Sequence, residues 1–213
     1  MPLIPNTNKK GNILNRIYLA SGSPRRREIL ENLGYTVQRL PAEIDETPYP
    51  QEKAADYVQR LAREKNADAV AQWHVTHTEP PEFPILAADT AVAYQNQILG
   101  KPENEAHAAE MLAQLSAATH QVYTAVSVYW QGETRTLLQQ SDVTFKSMSA
   151  VEIAAYIASG EPMDKAGAYG IQGLGGVFVA HLQGSFTGVM GLPVFETVGL
   201  LAQFGSVVPP FPK

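Results

Sequence analysis

Residues Ser21 to Arg27 read SGSPRRR and join a strand-like run, RIYLA, to a helical pattern, REILENLGY. Backbone N–H groups at a strand-to-helix turn point outward and can hold phosphate oxygens. Serine hydroxyls add donors, and arginine adds planar, permanently charged forks that suit phosphate. Ser21, Ser23, Arg25 and Arg26 are therefore candidate phosphate ligands, while Arg27 reads as a solvated arginine. A helix start carries partial positive charge and normally attracts acidic residues. The chain obeys that rule elsewhere, in the capping box SAVE at Ser149 to Glu152 and in the opening of PENEAHAAEML at Pro102. Here Ser23 takes the cap position and Pro24 the first helical position, and Arg26 stands where a capping-box glutamate would fit. The inversion predicts an anion at this helix start. It also predicts that glutamate at position 26 would complete the box and leave the free protein at least as stable.

Asp89 follows the apolar run PILAAD. In open α/β sheets ligands gather beyond the carboxyl ends of strands. A carboxylate there can hold a divalent metal or orient water; the same local sequence also suits a capping aspartate. Lys65 falls in line with Leu61 and Ala69 on the apolar side of a helical pattern, either snorkelling to water or held at a cleft edge for phosphate. Lys101 in LGKP occupies a turn whose glycine and proline neighbours suggest a fixed position. Glu43, Asp45 and Glu46 form an acidic loop from which one or two carboxylates could serve magnesium. The glycine-rich stretch DKAGAYGIQGLGG holds Asp164, Lys165 and Gln172. The glutamine amide offers a donor beside an acceptor, which matches the C=O and N–H edge of a pyrimidine. His74 and His77 lack an obvious third ligand, and no Ser-His-Asp arrangement stands out.

The elements that must position these residues alternate. RIYLA and YTVQRL read as strands around a helix from Pro24 to Leu33. A long helix over 51–72 precedes a proline-rich loop, HVTHTEPPEFP, and the strand PILAAD, which TAVAYQNQILG continues through a turn. A helix over Glu103 to Leu115 leads to two paired strands around QGE, then a capped helix from Ala150 to Ala158. VFVAHLQG is a last strand and GLPVFETVGLLAQF a last helix. This pattern predicts an α/β fold with a mixed sheet. The expected organisation is a loose arm over 1–15, one domain over 16–204 and a tail over 205–213.

With 213 residues and 45% hydrophobic content the chain can bury a full core. A formal net charge of -5 without a long basic run argues against a general nucleic-acid binder. The absence of cysteine excludes disulfides and thiolate metal sites. No signal-peptide core or bilayer-length apolar stretch is evident, so the expectation is a cytoplasmic protein with no membrane partner.

Taken together, LASGSPRR, LAREK, AADT, LGKP, DKAGAYGIQGLGG and GLPVFE, in that order over residues 16–204, resemble the Maf family of nucleoside triphosphate pyrophosphatases. The likeness leans toward the branch acting on dTTP and UTP. It implies a mixed, twisted sheet flanked by helices around a deep nucleotide-binding cleft. It also implies a divalent cation, Mg²⁺ or Mn²⁺, and hydrolysis to a nucleoside monophosphate and pyrophosphate. Such enzymes are cytoplasmic and often homodimeric. By motif, Ser21, Ser23, Arg25, Arg26, Lys65 and Lys101 correspond to phosphate-binding positions, and Asp89 to the catalytic acid/base. Glu43 and Asp89 correspond to acidic residues near the metal, and Arg26, Thr90 and Gln172 to positions that select the pyrimidine branch. GSFTGVMGLP departs from the usual asparagine-and-valine version, and the arm, the tail and the HVTHTEPPEFP loop lie outside the shared pattern. The rival readings are the sister branch that takes 7-methyl-GTP, against which Gln172 speaks, and a nucleotide sensor without turnover.

Overall fold

The computed structural model describes residues 15–204. The tail over 205–213, and all of the expected arm except Asn15, lie outside the described residues. Ile17, Tyr18 and Leu19 are buried in succession, as befits a parallel strand covered on both faces. They form β1 (Arg16–Leu19), which pairs in parallel with β2 (Thr36–Arg39) on one side and with the start of β3 (Ile85–Tyr94) on the other. Helix α1 (Pro24–Asn32) connects β1 to β2, and α2 (Ala54–Thr76) connects β2 to β3. Beyond β3 the ladder is antiparallel through β5 (Thr119–Trp130), β6 (Glu133–Phe145) and β7 (Val179–Gln183), while β4 (Gln97–Leu99) folds back on the end of β3. The result is a seven-stranded mixed sheet in the order β2-β1-β3-β5-β6-β7, with β4 beside β3. Helices pack against it, so the expected α/β class holds.

Side chains of β3 alternate between faces. Ile85, Ala87 and Ala91 meet α2, whose Val58, Ala62, Ala69 and Trp73 are buried there. Leu86 and Ala88 meet Ile29 and Leu30 of α1 and Leu200 and Leu201 of α6 (Val194–Ala202) on the other face. A further core lies between the far end of the sheet, α3 (Glu105–Leu115) and α4 (Ala150–Ala158), centred on Leu112, Leu115, Phe145 and Tyr156.

Several boundaries differ from the sequence reading. Helix α2 runs on through His74, Val75 and Thr76 because Trp73 is buried under it and its indole N–H donates to Glu79 O (2.9 Å). His77 stacks on Trp73 at 3.9 Å and directs Nδ1 to that residue's carbonyl, so the two histidines do not form a metal pair. Helix α3 starts at Glu105, because Asn104 accepts the N–H of His107 and acts as the cap. The box at Ser149 forms as expected, with Ser149 N–H donating to Glu152 Oε2 (2.8 Å). A one-turn helix, α5 (Phe186–Met190), was not legible, since five residues carry no periodicity.

His120 of β5 is fully buried, with Nε2 2.8 Å from the Tyr169 hydroxyl. Burial pushes its pKa down to about 4, against the opposing pull of Asp142. The unfolded chain would take up that proton near pH 6.5. Between about pH 4 and 6.5 the unfolded state therefore binds more protons, so stability rises with pH across that window and is lost as the pH is lowered through it. The loss attributable to this ring is about 3 kcal/mol at most. Thermal melts across the window are expected to show a steeper fall for the parent than for His120→Phe; equal slopes would remove His120 as the cause.

Candidate active site

β1 stops pairing with β3 at Leu86, and pairing of β3 with β4 begins at Val92. Residues 87–91 of β3 therefore have β5 on one edge and no strand on the other. Ala20 N–H still reaches Leu86 O (2.8 Å). The next residues, Ser21, Gly22 and Ser23, turn beside this open edge into α1. Asp89 and Thr90 lie in the open stretch and face opposite sides of the sheet. The sequence reading has PILAAD continued by TAVAYQNQILG through a turn; pairing with β5 runs without a break from Ile85 to Ala93, and the turn to β4 comes after Tyr94.

On the α2 side, Asp89 is 7% exposed and Lys65 Nζ donates to its Oδ1 at 2.7 Å. The same ammonium lies 2.7 Å from Glu46 Oε1. Burial pushes the Asp89 carboxyl above its ordinary range, against the opposing pull of Lys65 and Arg26. Two carboxylates thus converge on one cation at the open edge. Their hard oxygen atoms also suit Mg²⁺ or Mn²⁺, which bind through one or two carboxylates and keep waters or phosphate oxygens as further ligands. Among the described residues no group of three or more His, Asp or Glu side chains is gathered for a metal.

On the other side, Arg26 is buried and its donors are directed at protein groups. Nε donates to Gly191 O (2.8 Å), Nη1 to Ser21 Oγ (3.0 Å) and Nη2 to Thr90 Oγ1 (3.1 Å). Thr124 Oγ1 gives its proton to Gly188 O (2.8 Å), so Thr90 must donate to Thr124 across their 2.9 Å contact. A directed chain therefore runs from Arg26 through Thr90 and Thr124 to α5. Arg26 links the phosphate-loop candidate, β3 and α5 in the free protein, which argues against the expectation that a glutamate could replace it without loss. Of the five guanidinium N–H groups, two remain for a ligand.

Ser23 is the cap of α1 by position, yet its side chain makes no capping bond; its N–H donates to Ser21 Oγ (3.2 Å). Ser21 Oγ accepts from both Ser23 and Arg26, leaving its own proton to donate. Among the described residues the backbone N–H groups of Arg25 and Arg26 have no acceptor. Arg25 is half-buried, and its charge helps hold the Asp164 carboxyl low, after the larger effect of Lys165. Arg27 pairs with Glu31 (2.7 Å) in solvent, as a solvated arginine should.

Lys101 and Gln172 are exposed, and neither side chain is hydrogen-bonded among the described residues. The Lys101 turn is fixed next door, where Gly167 N–H donates to Gly100 O (3.0 Å). Glu43 is exposed and its N–H donates to Asp68; among the described residues its carboxylate makes no ion pair with Lys65. Glu46 is the acidic-loop residue that meets Lys65. Sequence reading grouped it with Glu43 and Asp45 without singling it out, because the path of the loop depends on distant bonds. Tyr57 donates to Glu46 O (2.9 Å) and Arg60 to Thr47 O (3.2 Å). Thr124 was missed for the same reason: nothing local marks a strand threonine. An apolar cavity of 810 Å³ beside α6, bordered by Leu137, Val194, Phe195 and Leu200 among others, contains none of the predicted site residues.

The chain is similar to known proteins over most of its length. A "dTTP/UTP pyrophosphatase" of Pasteurella multocida (strain Pm70) is 57% identical over 192 residues, covering 89% of this chain and 96% of its own. A protein of the same name from Neisseria meningitidis (strain Z2491) is 50% identical over 198 residues, covering 93% and 98%. A "Nucleoside triphosphate pyrophosphatase" of Haemophilus ducreyi (strain 35000HP) is 54% identical over 195 residues, covering 92% and 98%. The family model for Maf-like protein matches residues 16–204, from the first residue of β1 to the end of the described chain, and the chain belongs to the Maf family.

Proposed function

We propose that this protein hydrolyses dTTP and UTP to the nucleoside monophosphate and pyrophosphate. The relatives' activities and near-complete alignment support the reaction class and substrates. The observation that carries the chemistry is the buried Asp89 carboxylate, held by Lys65 on the open edge of β3 beside the SGSPRR turn. Water attacks the α-phosphorus and gives its proton to Asp89. The bond from α-phosphorus to the bridging oxygen breaks, and the pyrophosphate leaves with the electron pair. Asp89 must be ionised to take the proton, and Lys65 and Arg26 favour that form against the cost of burial. Arg25, Lys101 and the unpaired N–H groups of α1 offset charge on the departing pyrophosphate. Asp89 and Glu46 would hold Mg²⁺ or Mn²⁺, which supplies charge neutralisation at the phosphates and a more acidic water. The Gln172 amide donates to the pyrimidine C=O and accepts from its N–H. The substrate pool sets the enzyme in the cytoplasm.

Pyrophosphate release from dTTP, UTP and 7-methyl-GTP in the presence of Mg²⁺ tests the reading. Turnover of the first two, with little of the third, is expected. Release from 7-methyl-GTP alone would reassign the substrate branch, and release from none would favour a nucleotide sensor.

A further inference from the structure

We infer that Glu161 and Tyr156 are positioning residues for base selection, holding the glycine-rich turn over 170–175 in the shape that presents Gln172 to the nucleobase. The inference rests on the pyrimidine-nucleotide reading above.

The turn has little to order it from within. Residues 167–176 include five glycines, and Gln172, Gly173 and Leu174 are exposed. Glycine loses more conformational freedom on ordering than any other residue, so a fixed shape requires external bonds. Glu161 provides them from outside the turn. Its Oε2 accepts the N–H of Leu174 (2.9 Å), and its Oε1 accepts the N–H of Gly175 (3.0 Å). The Tyr156 hydroxyl donates to Glu161 Oε1 (2.8 Å) and accepts the N–H of Gly170 (3.1 Å). The entry and the exit of the turn are therefore tied to one carboxylate–phenol pair, and Gln172 lies between the two ties. Ile171, 8% exposed, anchors the turn from beneath.

The backbone passes too close to this pair for side chains. A Cβ on Gly173 would lie 2.3 Å from Glu161 Oε2, and one on Gly175 would lie 2.6 Å from the Tyr156 hydroxyl oxygen. Those glycines are needed for the close approach that the hydrogen bonds require. Lys165 completes the arrangement, donating to Glu161 O (2.7 Å) and to Asp164 Oδ1 (2.5 Å). Burial disfavours the Glu161 charge, but the N–H donors of Gly175 and Leu174, the Tyr156 hydroxyl and Lys165 outweigh it, and the carboxyl stays below its usual range. At neutral pH it is an anion with its acceptor capacity in use.

A glutamine amide does not by its composition choose thymine over cytosine. Thymine presents an acceptor at O4 and cytosine a donor at N4, and turning the amide over satisfies either. Selection therefore requires that the backbone carrying Gln172 be held so that one orientation is favoured. The phosphate-facing residues sit on β3, α2, the SGSPRR turn and the Lys101 turn, and among the described residues none is hydrogen-bonded to the side chains of this pair. Loosening the turn should reduce discrimination between bases and spare the chemistry.

The test compares kcat and KM for dTTP and dCTP in the parent, Tyr156→Phe, Glu161→Gln and Glu161→Ala. Tyr156→Phe keeps the ring that packs on Phe178 (5.2 Å between centroids) and removes only the hydroxyl, so it reports even if Glu161→Ala folds poorly. The dTTP-to-dCTP ratio of kcat/KM is expected to fall about 3–10-fold in Tyr156→Phe, as for loss of one or two hydrogen bonds. It should fall further in Glu161→Ala, with Glu161→Gln in between. The change should appear mainly as a higher KM for dTTP, with kcat for dCTP near the parent value. Ratios unchanged in folded Tyr156→Phe and Glu161→Ala would overturn the inference and leave the proposed activity standing. Equal losses for both nucleotides would make the pair merely structural and overturn it as well. A parent that releases pyrophosphate from neither nucleotide would overturn the activity itself, and the inference with it.

Discussion

Asp89→Asn is expected to lower dTTP turnover by about 10²–10⁴-fold, the usual scale for loss of a general base, while the protein keeps its fold. The substitution is nearly isosteric and retains an oxygen that can accept from Lys65. It removes the charge and basicity required at the attacking water. Burial has raised the Asp89 carboxyl, so ionising it in the folded protein opposes stability at neutral pH. The neutral variant should therefore melt at or slightly above the parent temperature. The sign for activity is equally defined. The ionised form is the active one, so kcat/KM in the parent should rise with pH through the elevated titration of Asp89. That limb should vanish in the variant. A folded variant that hydrolyses dTTP within a few-fold of the parent would show that Asp89 is not the base.

Arg26→Glu should abolish turnover and also destabilise the free protein, by about 3–5 kcal/mol. Arg26 is 9% exposed, and its guanidinium donates to Gly191 O, Ser21 Oγ and Thr90 Oγ1. A carboxylate there would face the Gly191 carbonyl from a buried position and would repel the Asp89 charge that now favours the guanidinium. Completing a capping box with Ser23 returns only about 1 kcal/mol, so the buried-charge penalty decides the outcome. For a chain of this size the melting temperature should fall by roughly 10 °C. Arg25→Glu is the contrast: its side chain makes no hydrogen bond among the described residues, so stability should change little while turnover falls. If Arg26→Glu melts with the parent, the hydrogen bonds to Gly191 and Thr90 are not holding α5.

What the sequence revealed and what it hid divide by distance along the chain. The SGSPRR turn, the proline start of α1 and the box at Ser149 were legible because each is settled within a few residues. The second role of Arg26 was not, because its backbone acceptor, Gly191, lies 165 positions away. Asp89 was found by its apolar approach, but its mid-strand place depends on β5, whose Ala125 is its register partner. The acidic loop was recognised as a group. That Glu46 rather than Glu43 meets Lys65 follows from the bonds of Tyr57 and Arg60, which no local pattern encodes. The glycine-rich stretch was marked by composition alone. Its tie to Glu161 and Tyr156 depends on backbone N–H groups, which every residue but proline carries and which leave no trace in a sequence.

The central claim is attack of water on the α-phosphorus in a single displacement. Hydrolysis of dTTP in ¹⁸O-enriched water, limited to one turnover and followed by mass spectrometry of both products, tests it most directly. The account predicts one ¹⁸O atom in the nucleoside monophosphate and none in the pyrophosphate. Label in the pyrophosphate would place the attack on the β-phosphorus, and release of orthophosphate in its place would show that a different bond is broken; either result contradicts the account.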